Sequence, residues 1–136
     1  MKIVILHFLD VKKQKNNVIL NKLVESASKN GHQVDLVNGN LDAENFRITP
    51  YEYVTVVASG ISSFSSKLAP QISSVIAKSG IASGKKACAL VLKQLLFSQK
   101  LCKSLMYTME KEGMVIDYFE VVASADHASY IGKKLG

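Results

Sequence analysis

KIVILHF, residues 2–8, is a nearly unbroken apolar run that is rich in isoleucine and valine. A β-strand covered on both faces has this pattern, whereas a half-exposed strand alternates apolar and polar residues. Four later segments also predict strands: Gln33–Asn38, Tyr53–Ala58, Lys86–Leu92 and Met114–Val122. The chain is therefore expected to contain a parallel sheet that is buried between two layers.

Helical patterns separate most of the predicted strands. Apolar residues recur at helical spacing in four stretches: Asn17–Asn30, Leu68–Ile76, Leu101–Met109 and Ser124–Leu135. Ser124 or Asp126 is the expected N-cap of the last helix, and no helix is predicted between Gly39 and Pro50. Right-handed crossovers place helices on both faces of such a sheet. The predicted fold class is α/β, a three-layer doubly wound sandwich with a five-stranded parallel sheet, in a single domain over residues 1–136.

Composition narrows the class of protein. The chain has 136 residues, of which 48% are hydrophobic, and it carries a net charge of +6. No apolar run approaches the roughly 20 residues that span a bilayer, and the lysines are dispersed, so neither a membrane nor a nucleic-acid partner is expected. Cys88 and Cys102 are expected to be free thiols without metal-ligand spacing, which favours a cytoplasmic location and no metal.

Several reaction classes lack their sequence signatures. No Gly-x-Gly-x-x-Gly, phosphate-binding Gly-x-x-x-x-Gly-Lys-Ser/Thr loop, nucleophile elbow or His-Glu-x-x-His helix is present. Leu6-His7-Phe8 and Ala58-Ser59 stand where a phosphoacceptor domain would carry its acids. His7, His32 and His127 each lack an identified catalytic partner and are interpreted as structural residues. No catalytic residue is assigned, and enzymatic activity is not the expectation.

The order and spacing of five segments resemble the flavodoxin family over nearly the whole chain. These segments are Lys2–Leu6, Asn30–Val37, Tyr51–Ile61, Gly84–Lys86 and Ser124–Gly136. The resemblance implies the strand order 2-1-3-4-5, an FMN cofactor and a role in electron transfer. It also implies a cofactor site in the loops that follow strands one, three and four, at the carboxyl edge of the sheet.

Those loops depart from the family pattern. The residues that the resemblance places at the cofactor are Lys12, Lys13, Lys15, Asn16, Asn17, Ser59, Gly60, Ile61, Ser62, Lys93 and Gln94. The family holds the FMN phosphate in a loop rich in Ser, Thr and Gly, but Leu9–Asn16 contains none of these residues, and Asp10 would repel an anion. Lysine charge could replace the amide donors, with Asn16 or Asn17 as helix cap, or the loop could be only a solvated basic segment.

The expected stacking aromatic is also missing. Gly60-Ile61-Ser62-Ser63 stands where the family has a proline and an aromatic residue. Phe64 could substitute for it, although a core role is preferred, and Phe97 could shield one face of the ring. Leu95–Phe97 is nevertheless interpreted as the start of the following helix. FMN binding is therefore expected to be weak or lost.

Three functions remain open from the sequence. The chain is an electron carrier or reductase domain that binds FMN through atypical loops, or it has lost FMN and serves as a binding or assembly module. Alternatively, it binds another small anion between Lys12, Lys13 and Ser62. A redox or assembly protein is the expected partner. The second function predicts an exposed apolar patch near Phe64 and Leu95–Phe97 that supports partner binding or a homodimer.

Overall fold

A five-stranded parallel sheet forms the centre of the molecule. The structure is a computed structural model that describes residues 1–60 and 67–136. The strands are β1 Lys2–His7, β2 Gln33–Asn38, β3 Tyr53–Ala58, β4 Lys86–Leu92 and β5 Val115–Val122. They are arranged in the order β2-β1-β3-β4-β5, and all four neighbouring pairs are parallel. The predicted class and strand order are confirmed.

Helices cover both faces of the sheet. They are α1 Gln14–Lys29, α2 Ala69–Lys78, α3 Ser98–Lys111 and α4 Ala125–Gly132. Apolar side chains of α1 and α4 pack on one face, and those of α2 and α3 pack on the other. The central strands β1 and β3 are buried on both sides, because a layer of helices lies above and below them. None of the helices in the described part of the chain is long and apolar enough to cross a membrane.

Element boundaries agree with the sequence in some places and differ in others. Within the described residues, the connection from Gly39 to Glu52 consists of turns and contains no helix, as predicted. Ser124 caps α4, because its Oγ accepts the N–H of His127 at 3.1 Å. The prediction that α1 begins at Asn17 is wrong, since the helix begins three residues earlier at Gln14.

One buried hydroxyl gives a test of the sheet core. Thr55 in β3 is fully buried, and its Oγ1 has no hydrogen-bond partner among the described residues. Thr55→Val is therefore expected to raise the free energy of unfolding by about 1 kcal/mol, because valine keeps the shape and removes an unsatisfied polar atom. Urea denaturation followed by circular dichroism measures this change.

Thr108 provides the matched control. It is also buried, but its Oγ1 donates to the carbonyl of Ser104 at 2.9 Å. Thr108→Val is expected to be neutral or destabilising, because it removes a satisfied hydrogen bond. A loss of stability in both variants would show that the Thr55 hydroxyl is paired in solution.

Candidate functional site

A cleft lies at the carboxyl edge of the sheet, where the strand order reverses between β1 and β3. Its volume is about 250 Å³, and Ile19, Leu92 and Val122 contribute apolar lining. Seven of the predicted site residues line it together: Lys13, Lys15, Asn16, Ser59, Gly60, Lys93 and Gln94. Lys12 and Asn17 do not line it, and Ile61 and Ser62 lie outside the described residues, as does Phe64. The structure thus brings seven of these residues together in one cleft, and their role in binding a cofactor stays a prediction.

Several backbone donors in the loop after β1 are bonded within the chain. Asp10 Oδ1 accepts the N–H of Lys12 at 2.9 Å, and the Asp10 carbonyl accepts the N–H of Lys13 at 3.3 Å. The N–H of Leu9 donates to Nδ1 of His7 at 3.2 Å. A phosphate held by a backbone nest needs several such N–H groups to be free. In this chain one of these N–H groups, that of Lys12, donates instead to the Asp10 carboxylate.

Neither Asn16 nor Asn17 caps α1, because the loop at Asp10 leads into the helix before either residue. The helix already begins at Gln14, with Lys13 in extended conformation at the N-cap and no side-chain capping bond. Asn16 Nδ2 instead donates to the Asp10 carbonyl at 3.0 Å, and Asn17 Nδ2 donates to the Val11 carbonyl at 2.8 Å. Both amides therefore brace the loop from within the first turn of α1.

The wall of the cleft that α1 provides is positively charged. Lys13 and Lys15 lie at the N-terminus of the helix, the first turn holds no acidic residue, and Lys93 lines the cleft from the end of β4. A helix N-terminus also carries a partial positive charge that favours anions. The cleft can therefore attract a small anion.

Gln94, which follows β4, rests on Gly60, which follows β3. A β-carbon placed on Gly60 would lie 1.1 Å from Gln94 Oε1, so the amide rests directly on the Gly60 backbone. Its Nε2 donates to the Leu96 carbonyl at 2.5 Å, and its N–H donates to Ser98 Oγ at 3.0 Å. A planar ring placed against the Gly60 backbone on this side would have to displace Gln94. Gln94 lines the cleft, and its role as a cofactor-binding residue stays a prediction.

The prediction that Leu95–Phe97 begins α3 is wrong. The helix begins at Ser98, and Phe97 precedes it with a left-handed backbone, at a φ of 66°. Leu95, Leu96 and Phe97 are 96%, 63% and 70% exposed, respectively. Phe97 does not line the cleft, so it is not placed to shield a bound ring. These three residues form an apolar ridge beside the cleft, as the binding-module hypothesis predicted for this part of the patch.

The backbone of Phe97 leads to a stability prediction. A side chain with a β-carbon is strained at this φ, and the exposed Phe97 ring offers little packing in compensation. Phe97→Gly is expected to raise the free energy of unfolding by about 1 kcal/mol, because glycine adopts the left-handed region without strain. Leu96→Gly is the control, since Leu96 is similarly exposed and lacks a positive φ, and it should be destabilising. A stability loss in both variants would contradict the assigned backbone.

The histidines and cysteines have structural surroundings. His7 is buried at the end of β1, and burial lowers its pKa below the usual value of 6.5, which keeps it neutral as the acceptor for Leu9. His127 Nδ1 accepts the N–H of Ala123 at 3.0 Å. Burial raises the pKa of both Cys88 and Cys102, so neither thiol is activated. Within residues 1–60 and 67–136, no three His, Cys, Asp or Glu side chains gather in a group that could hold a metal ion.

Comparison with known proteins identifies the fold. No family model matches the chain, and no curated protein matches its sequence. Among solved structures, it is similar to the oxidised flavodoxin 2 of Bacillus cereus, with 14% identity, a TM-score of 0.71, and coverage of 97% of this chain and 95% of that one. The Streptococcus pneumoniae TIGR4 flavodoxin has 10% identity, a TM-score of 0.72 and coverage of 98% and 96%.

A third similar structure is described with its cofactor. The Fusobacterium nucleatum flavodoxin bound to flavin mononucleotide has 12% identity, a TM-score of 0.59, and coverage of 99% of both chains. Identities this low establish the architecture alone. The chain has a flavodoxin-like fold over nearly its whole length.

Proposed function

We propose that this protein is a flavodoxin-like domain of the electron-transfer family type in which FMN binding is weak or lost, and that it acts by binding another protein. The observation that carries the proposal is that the chain's own side chains make contacts at two places to which the resemblance assigns the cofactor. Asp10 accepts the N–H of Lys12 in the loop after β1, and Gln94 lies on Gly60 just after β3. These contacts disfavour FMN, because Asp10 puts a negative charge in the loop that would receive the phosphate, and a ring placed against Gly60 would displace Gln94.

The surface beside the cleft supports a binding role. Three consecutive large apolar side chains, Leu95–Phe97, are exposed immediately before α3 rather than buried in the core. Exposed apolar clusters of this kind are typical of protein contacts. Lys93 and Lys100 flank the ridge in sequence and add positive charge. A partner surface with acidic and apolar groups would complement it.

Thermal denaturation with added FMN tests the proposal. At about 100 µM ligand, a cofactor bound with nanomolar affinity would stabilise the fold by about 7 kcal/mol, whereas a dissociation constant above 100 µM gives less than about 0.5 kcal/mol. We expect a shift in Tm of no more than about 2 °C, and a purified protein without visible absorbance from flavin. A shift of ten degrees or more, or yellow protein on purification, would overturn the proposal.

A small inorganic anion is a second candidate ligand, because Lys13, Lys15 and Lys93 all line the cleft. Such an anion would need no space for a ring and could be held by side-chain charge alone. If phosphate binds there, Lys13→Ala with Lys15→Ala should remove the stabilisation that phosphate gives, and added salt should weaken it. Lys133→Ala with Lys134→Ala, at the end of α4, is the charge-matched control.

A further inference from the structure

A second concave surface lies between α2 and α3, on the face of the sheet opposite α1 and α4. This α2–α3 groove has a volume of about 720 Å³ and shares no lining residue with the cleft. Helix α2 contributes small side chains: Ala69, Pro70, Ser73, Ser74 and Ala77. Helix α3 contributes longer ones, chiefly Lys100, Lys103, Tyr107 and Lys111. Small side chains therefore line one side of the groove, and lysines on either side of a tyrosine line the other.

The shape of the groove fits a helix. Lys100, Lys103, Tyr107 and Lys111 follow one stripe of α3 at helical spacing, over about 16 Å along the axis. Tyr107 is 69% exposed in the middle of this stripe. The small side chains of α2 would let another helix approach closely, in the range of about 8–10 Å between axes. An occupant of about three helical turns would match the length of the groove.

The charge of the groove indicates the chemistry of its occupant. No Asp or Glu occurs from Tyr53 to Met109, while seven lysines do: Lys67, Lys78, Lys85, Lys86, Lys93, Lys100 and Lys103. In the part of the chain that the structure describes, the single ion pair joins Lys29 to Glu25, away from the groove. Among the described residues no Asp or Glu lines the groove; Glu110 and Glu112 lie near its end in sequence, and Glu112 accepts a hydrogen bond from Ser73 Oγ. Lys100, Lys103 and Lys111 are therefore available to form ion pairs with carboxylates of a partner.

We propose that the α2–α3 groove binds an acidic amphipathic helix of another protein. Its carboxylates would face Lys100, Lys103 and Lys111, and its small apolar side chains would pack on Ala69 and Ala77 beside Tyr107. This is the helix-in-groove mode of recognition, with apolar anchors for affinity and charge for selection of the partner. The inference rests on the proposed protein-binding role. Because the groove and the cleft are separate, FMN titration and helix binding can succeed or fail independently.

Fluorescence anisotropy of a labelled synthetic peptide tests the proposal. The probe is a helical peptide of about 16 residues with Ala and Leu on one face and Glu on its flanks, and the control peptide carries Gln in place of Glu. We expect micromolar binding of the Glu peptide at low salt, and at least tenfold weaker binding of the Gln peptide. Equal binding of the two peptides, or no binding of the Glu peptide at millimolar protein, would overturn the proposal.

Two sets of variants locate the binding. Charge reversal by Lys100→Glu, Lys103→Glu and Lys111→Glu should weaken binding at least tenfold. Reversal of Lys22, Lys133 and Lys134 on the α1/α4 face makes the same change in net charge and should weaken it less than threefold. Equal losses in the two sets would show attraction by total charge alone and would overturn the groove assignment.

Ala77→Trp separates the groove from the charge around it. Ala77 is exposed and lines the groove, so a tryptophan there fills the space and leaves every lysine in place. The variant should lose peptide binding at least tenfold while its circular dichroism spectrum and Tm stay unchanged. Unchanged binding would overturn the proposal, as would equal competition by a single-stranded oligonucleotide. If the protein self-associates and Ala77→Trp abolishes the self-association, the groove binds a second copy of this chain, and the proposal is overturned.

Discussion

Replacing Gly132 with alanine is expected to lower the free energy of unfolding by about 3 kcal/mol, because the new methyl group has no space between α1 and α4. A β-carbon at Gly132 would lie 2.6 Å from Ser26 Cβ and 2.9 Å from the Leu23 carbonyl oxygen. The second of these atoms belongs to the backbone of α1, so no side-chain rotation relieves the clash and the helices must separate. The two helices are also joined by the hydrogen bond from Ser26 Oγ to the Ser129 carbonyl.

Gly84→Ala distinguishes this packing effect from the general effect of removing a glycine. Nothing lies within 4 Å of a β-carbon at Gly84, but its φ is +83°. Its replacement should therefore cost only about 1 kcal/mol, from backbone strain alone. Guanidinium denaturation of both variants measures the difference. A loss at Gly132 no larger than that at Gly84 would contradict the close packing of α1 and α4.

Replacing Asp10 with asparagine is expected to tighten FMN binding by about tenfold and to leave riboflavin binding unchanged. Asparagine keeps an oxygen that can accept the Lys12 N–H but removes the negative charge beside the place of a phosphate. One like charge near a dianion accounts for about 1–2 kcal/mol in a partly solvated site. Riboflavin lacks the phosphate, so it reports any change in the ring-side part of the cleft.

Glu44→Gln is the matched control for Asp10→Asn. Glu44 is exposed, lies in the connection between β2 and β3 and not in the loop after β1, and loses the same single charge on substitution. Its FMN dissociation constant should stay within about twofold of that of the parent protein, since an exposed distant charge is screened. If Glu44→Gln tightened FMN binding as much as Asp10→Asn did, the effect would be one of net charge and not of the loop.

The sequence predicted the layered fold because its strongest signals are local. Lys2–Phe8 and Tyr53–Ala58 are apolar on both faces, and that pattern leaves little choice but a central strand beneath helices. Ser124 indicated the start of α4, since a serine before a stretch with apolar residues at helical spacing is a typical N-cap. The sequence predicts that α1 begins at Asn17, which lies next to the apolar stripe. In the structure, Asp10 forms the turn that leads into the helix, so the helix begins earlier. An aspartate followed by polar residues was the available signal.

The contents of the cleft could not be predicted in the same way. Gln94 lies on Gly60, and this contact joins residues that follow different strands, so no local pattern shows it. Leu95–Phe97 was interpreted as a helix start because apolar residues commonly begin a buried face. In the structure they precede the helix and are exposed, and Phe97 has a left-handed backbone, which is unusual for a phenylalanine. The absence of acidic residues from Tyr53 to Met109 was visible in the sequence, but only the structure places Lys100, Lys103 and Lys111 along one groove.

We propose that this flavodoxin-like fold binds FMN weakly or not at all, because Asp10 and Gln94 disfavour it. Fluorescence titration of the purified protein with FMN and with riboflavin, to about 100 µM ligand, tests it most directly. We predict no saturable quenching with either flavin in this range. Saturable quenching by FMN below about 1 µM, at least a hundredfold tighter than by riboflavin, would contradict the account. It would mean that Asp10 and Gln94 move aside and that the lysine-lined loop holds the phosphate.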